Sequence, residues 1–159
     1  MTFEEAALQV IMGAVGSLGF SLLFNIRGRM LLFAALGGAM GWTVYLLLGG
    51  EYPNDQMQYM LAAMAATLYA EVLARILRVP VTVFCVCSLI PLIPGGSLYY
   101  TMAYCLQGDN AGFYTRGIYT LTAATMLALG TMAVMMLTRV YTMTKARVLK
   151  RAKMKKRRV

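Results

Sequence analysis

Apolar runs long enough to cross a lipid bilayer follow one another along nearly the whole chain. A spanning helix needs about 20 predominantly apolar residues. Such runs cover about 6–24, 30–48, 57–77, 81–106 and 118–137, separated by short polar stretches. In hydrocarbon every backbone N–H and C=O must be bonded within the protein, and helices do this segment by segment. The pattern therefore predicts an all-α polytopic membrane protein of about five transmembrane helices over residues 1–140, followed by a basic cytoplasmic tail over 141–159. Of the 159 residues, 60% are hydrophobic and 13% charged, against about 25% charged in a soluble domain. No room is left for a separate soluble domain. The acidic N-terminus makes a poor signal peptide, so the first run is expected to be retained.

The charges orient this frame. Counting alternate loops, fourteen of the fifteen Lys and Arg fall on one side and Arg116 alone on the other. Glu4, Glu5, Glu51, Asp55 and Asp109 share the side of Arg116. Basic residues mark the cytoplasmic face, so the N-terminus is expected outside and the C-terminus inside. More than half of the cations follow the last apolar run, between Lys145 and Arg158. A basic stretch in that place reads as a topology determinant in contact with anionic lipid rather than as a nucleic-acid surface.

The fourth run is interrupted in its middle by Pro91, Pro94, Gly95 and Gly96. Proline removes a backbone donor, and broken backbone at membrane depth is tolerated only inside protein or beside a water-filled cavity. Transporters place ligand sites at such breaks. The amides of Gly95, Gly96 and Ser97, opening a second half-helix, would suit a substrate carboxylate. The plainer reading is a kink used for packing.

Glu71 is the only acidic residue within a predicted span. It is either a proton-coupling or substrate-gating carboxylate, or a cytoplasmic anchor paired with Arg75 one turn on. Asn25 with Arg27, Tyr69, and Tyr99 with Tyr100 are further candidates, read mainly as caps, interface and packing residues. Thr120, Thr122, Thr125 and Thr131 could line a polar route, but such hydroxyls commonly bond back to their own helix. Gly13, Gly16, Gly19, Gly37, Gly38 and Gly41 fit close helix packing. Residues 107–117 read as a polar loop, and Gly49, Gly50, Pro53, Asn54 and Asp55 as a turn. The chain has no histidine, no phosphate-binding lysine after a glycine loop and no paired carboxylates. Cys85, Cys87 and Cys105 match no metal pattern. An enzyme is therefore disfavoured, and no cofactor is expected.

Gly19-Phe-Ser-Leu-Leu-Phe-Asn25 before a basic turn, Glu71-Val-Leu-Ala-Arg75, Pro80-Val-Thr and Ile90-Pro-Leu-Ile-Pro-Gly-Gly96 together resemble the threonine/serine exporter family. The resemblance is to its C-terminal membrane half, in the small separate-chain version, and covers nearly the whole chain. It implies a larger homologous partner subunit with a cytoplasmic region. It further implies export of a small carboxylate metabolite, threonine- or serine-like or a dicarboxylate such as succinate, across a bacterial inner membrane. A homologous second half of five spans would sit inverted. The competing class is a membrane subunit that only assembles or regulates its partner.

Overall fold

A computed structural model describes residues 2–49 and 55–156, without the side chains of 146 and 148–156. Residues 50–54 of the turn expected after the second span, Glu51 among them, lie outside the described residues. The described chain is helical, with no strand. Helices α1 (Phe3–Leu23), α2 (Arg29–Leu48) and α3 (Asp55–Leu77) are each long and apolar enough to cross a membrane. Next come α4 (Val81–Leu89), a 3-10 turn (Ile90–Leu92) and α5 (Gly95–Gln107), two short helices bent by 55° at the break. The long α6 (Asn110–Lys156) follows. Four helices can span singly, and the bent pair brings the number to as many as five.

Contacts between helices fix their directions. Ser17 meets Gly38 and Gly13 meets Trp42, so α1 and α2 are antiparallel. Tyr69 reaches Phe33 while Tyr45 stacks near Tyr59, so α2 and α3 are antiparallel too. Asp55 pairs with Tyr119 and Arg75 with Thr138, so α3 and α6 run the same way. The bent pair must therefore return the chain once between them. Helix α5 packs chiefly on α6 and stands apart from the other helices.

Small residues set the packing distance. Ala62, Ala66, Ala70 and Ala74 recur every fourth residue along α3 and are all buried, which puts them on one face. Without a hydrophobic drive between helices in lipid, such seams permit the close approach that dispersion needs. Gly37, Gly38 and Gly41 are notches of the same kind, and Gly130 of α6 lies against the Met60 carbonyl of α3. Gly16 and Gly19, expected to serve likewise, have open space around them instead. They lie off the seam that Gly13 and Ser17 present to α2.

The turns are tight because left-handed residues close them. Asn25 (φ 57°) ends α1, where the Ile26 N–H donates to the Ser21 carbonyl at 3.0 Å. Arg78 (φ 57°) ends α3, with the Val79 N–H donating to the Ala74 carbonyl at 3.0 Å before Pro80. Gly108 (φ 74°) ends α5, with the Asp109 N–H donating to the Tyr104 carbonyl at 3.0 Å. All three are the six-to-one closure of a helix C-terminus.

Two expectations are corrected here. The loop foreseen over 107–117 shrinks to Gly108 and Asp109, because Asp109 at once caps the next helix, accepting from the Gly112 N–H at 3.0 Å. The last helix does not span 118–137 only. It begins at Asn110 and continues to Lys156, because the stretch beyond Gly130 contains neither Gly nor Pro to stop it. At about 1.5 Å per residue it is roughly 70 Å long and carries the basic residues some 27 Å past Thr138.

Candidate transport site

The two prolines disturb the hydrogen-bond ladder in a way that can be traced. Pro91 has no N–H to offer the Cys87 carbonyl. That carbonyl instead accepts from Ser17 Oγ on α1, at 2.8 Å, with both residues fully buried. Past the break, the Ile93 N–H donates to the Ile90 carbonyl at 3.2 Å and the Gly95 N–H to the Ile93 carbonyl at 2.7 Å. Ser17 is a residue that sequence reasoning missed. Its only signal was a small polar residue one turn after Gly13 on the same face.

Beside this repair lies a cleft of about 290 Å³, lined by Pro91 and Ile90 of the break, Gln9, Met12, Gly13 and Gly16 of α1, and Trp42 of α2. Its polar edge is Trp42 Nε1, which donates to Gln9 Oε1 at 3.2 Å. Pro94, Gly95, Gly96 and Ser97 do not line it. Gly95 and Gly96 are exposed, with no atom of a neighbouring helix near either. The Ser97 carbonyl accepts from Thr101 Oγ1 at 2.7 Å. The break thus has two faces: Pro91 turned into the bundle, and the opening of α5 turned away from it.

Glu71 lies toward the arginine end of α3, one turn before Arg75. It is 9% exposed, and its carboxylate accepts from Arg75 Nη2 at 3.1 Å. The same nitrogen donates to the Thr138 carbonyl of α6 at 3.4 Å. Glu71 and Thr67 of α3 lie within electrostatic range of the Cys85 thiol of α4. Thr67 and Ser88 are fully buried, and neither hydroxyl has a hydrogen-bond partner among the described residues.

The weaker candidates take structural positions. Asn25 is exposed at the end of α1, its Oδ1 accepting from Arg27 Nε at 2.9 Å. Tyr69 donates to the Phe33 carbonyl at 2.8 Å and ties α3 to α2. Tyr99 and Tyr100 are exposed on α5, edge to face. Thr120, Thr122, Thr125 and Thr131 each bond back to a carbonyl of α6.

At the other end of the bundle a second polar zone forms. Tyr119 donates to Asp55 Oδ2 at 3.2 Å, and the Tyr59 hydroxyl faces both Tyr119 and Tyr45. Gln56 Nε2 donates to Thr122 Oγ1 at 3.0 Å. Between the two zones Ala62, Ala66 and Leu92 make a layer sealed from solvent.

The family model for the threonine/serine exporter ThrE matches residues 9–137. The chain belongs to the threonine/serine exporter family. No solved structure matches it. The match takes in the cleft, the break, Glu71 and Arg75, while Thr138, whose carbonyl accepts from Arg75, lies one residue beyond it. It stops before Arg139 and the basic continuation of α6. In an exporter-type membrane transporter, a broken helix against a cleft and a sealed layer between two polar zones are the parts from which a gated path is built.

Proposed function

We propose that this chain is one subunit of a proton-coupled secondary exporter. It moves small carboxylate metabolites, threonine- or serine-like or a dicarboxylate such as succinate, out across a bacterial inner membrane. The observation that carries the reading is the proline break itself. Its freed carbonyl is bonded from another helix and its Pro91 face lines a cleft, which a kink serving only to bend a helix does not require. The uncovered opening of α5, with Gly95, Gly96 and Ser97, then offers a carboxylate subsite that a larger homologous subunit closes. Glu71 holds the coupling proton, with Arg75 as the cation that pairs with its carboxylate when the proton leaves. The basic end of α6 rests on anionic lipid or on the partner's cytoplasmic region.

The test is efflux of threonine and of succinate from cells lacking the chain, complemented with wild type or with Glu71→Gln. Restoration of one efflux by wild type alone names the substrate class and places Glu71 in the mechanism. Normal efflux by Glu71→Gln makes the ion pair with Arg75 an anchor. Unchanged efflux in the deletion strain, with falling abundance of the partner subunit, makes the chain an assembly subunit. Replacing Gly95 and Gly96 by leucine should block export while the complex still assembles. Continued export would remove the α5 opening from the site.

A further inference from the structure

The cleft against Pro91 holds two features that helix packing leaves unexplained. One is Gln9. Along the apolar run of α1 its carboxamide is the only polar side chain besides Ser17 and Ser21, and those two hydroxyls are bonded in the core. Gln9 stands six residues after Phe3, about 9 Å along the axis of a helix of spanning length. An indole N–H can only donate, so the Trp42 bond at 3.2 Å takes the amide oxygen of Gln9. Both N–H of the same carboxamide are left without a partner among the described residues. At that depth such donors carry a desolvation cost until something accepts from them.

The other feature is Gly16. A Cβ on Gly13, one turn before it, would touch the Cβ atoms of Trp42 and Pro91 at 3.4 and 3.6 Å, so packing accounts for that glycine. Gly16 lines the same cleft, yet a Cβ there would meet no atom within 4 Å. Glycine is the weakest helix former after proline, and no neighbour requires it at this position. What the missing side chain preserves is the space of the cleft. Its 290 Å³ sits at the small end of ligand sites, which run from about 300 to 1,000 Å³. Its walls are apolar apart from Gln9 and Trp42, the usual make-up of a site with a few oriented polar groups. Trp42 is itself braced by Tyr45, with ring centroids 5.1 Å apart.

We propose that this cleft is a substrate site, in which the Gln9 N–H groups donate to the carboxylate of the exported metabolite. Trp42 is a positioning residue that holds the amide in that orientation, and Gly16 keeps the place open. This rests on the exporter reading given above. It adds a site apart from the α5 opening, whose glycines do not line the cleft. A hydrogen bond to a carboxylate is stronger than one between neutral groups, while an amide brings no fixed charge that would retain the substrate. An acyl chain, the competing occupant of an apolar cleft in a membrane, would leave both donors unused.

The experiment measures exchange of labelled for unlabelled threonine and succinate in membrane vesicles from cells expressing the full exporter. Gly16→Leu should abolish exchange of whichever solute the wild type carries, and melt in detergent no lower than wild type. Gly19→Leu, equally free of neighbours but outside the cleft, should exchange normally. Gln9→Met, close in size, should raise the half-saturating concentration about tenfold or more, with the maximal rate within about threefold of wild type. Gln9→Glu keeps an oxygen for Trp42 but carries no N–H, and should raise it at least as far. A residue that served only to brace Trp42 would tolerate that change. Trp42→Phe, which loses the indole donor, should raise the half-saturating concentration less than Gln9→Met does. Normal exchange in Gly16→Leu would overturn the site, as a cleft filled only by an acyl chain predicts. Should Gly16→Leu melt low, the Gln9 variants decide, and half-saturating concentrations equal to wild type in both would overturn the site as well. Wild-type vesicles that exchange neither solute faster than vesicles lacking the chain would remove the exporter reading for these solutes, and the site with it. Failure of the variants alone removes only the site.

Discussion

Ser17 is where one residue's chemistry decides whether the break can exist inside a membrane. It fills the notch of Gly38 so closely that a Cβ there would overlap its Oγ, and from that position it bonds the carbonyl that Pro91 leaves without a donor. Ser17→Ala should therefore lower stability by about 1–3 kcal/mol, since the Cys87 carbonyl would be orphaned in the core. Ser21→Ala should cost much less, because its hydroxyl only bonds back one turn at 2.6 Å. Thermal melts of the two variants in detergent compare them directly, and equal losses would deny the repair. The glycines divide by the same reasoning. Gly38→Ala drives a methyl into Ser17, and overpacking of this kind costs about 1–3 kcal/mol. Gly19→Ala meets open space, and should be neutral or up to about 1 kcal/mol stabilising through helix propensity. Melting temperatures that move together in this pair would mean that the α1–α2 seam is misplaced.

At the scale of elements, the α5–α6 hairpin shows what local signals can carry. Gly108 closes one helix and Asp109 opens the next, so the connection needs only two residues. The Gly-Asp pair was present to be read, yet the polar residues Asn110, Thr115 and Arg116 after it suggested a loop. Helix propensity does not exclude polar side chains, and the cap outweighed the composition. Asp109→Ala should destabilise the hairpin by about 0.5–2 kcal/mol. Hydrogen exchange should localise the effect to the first turns of α6, and uniform protection would show that packing on α5 alone sets the helix start. The helix ends at Asn25 and Arg78 were harder to foresee in their geometry, since a non-glycine residue takes the left-handed position only where the surrounding fold holds it. The break, by contrast, was legible from Pro91 and Pro94 alone, because a missing N–H acts whatever its surroundings.

Over the whole molecule, the number and order of the helices could be read from apolar length, whereas the arrangement of the site could not. Glu71 stood out because a carboxylate in an apolar run is rare, and its partner Arg75 follows from helical spacing. Ser17 did not stand out, because its meaning depends on meeting the Cys87 carbonyl, and that becomes visible only when the helices have been packed. Orientation is the remaining property of the whole. Arg27, Arg29, Arg75, Arg78 and Arg139 gather at one end of the bundle through the helix directions, while Asp55 and Asp109 lie toward the other. Positive charge resists translocation, so the arginine end should face the cytoplasm. Thr2 precedes α1 and Thr144 lies on the projecting part of α6, at opposite ends of the bundle by the helix directions. In a Cys105→Ser background, with Cys85 and Cys87 buried, a membrane-impermeant thiol reagent should label Thr2→Cys in intact cells. Thr144→Cys should react only after permeabilisation. The reverse pattern would invert the orientation. Labelling of both variants in intact cells would contradict the parallel course of α3 and α6 that the Asp55–Tyr119 and Arg75–Thr138 contacts set, and with it the single crossing of the bent pair.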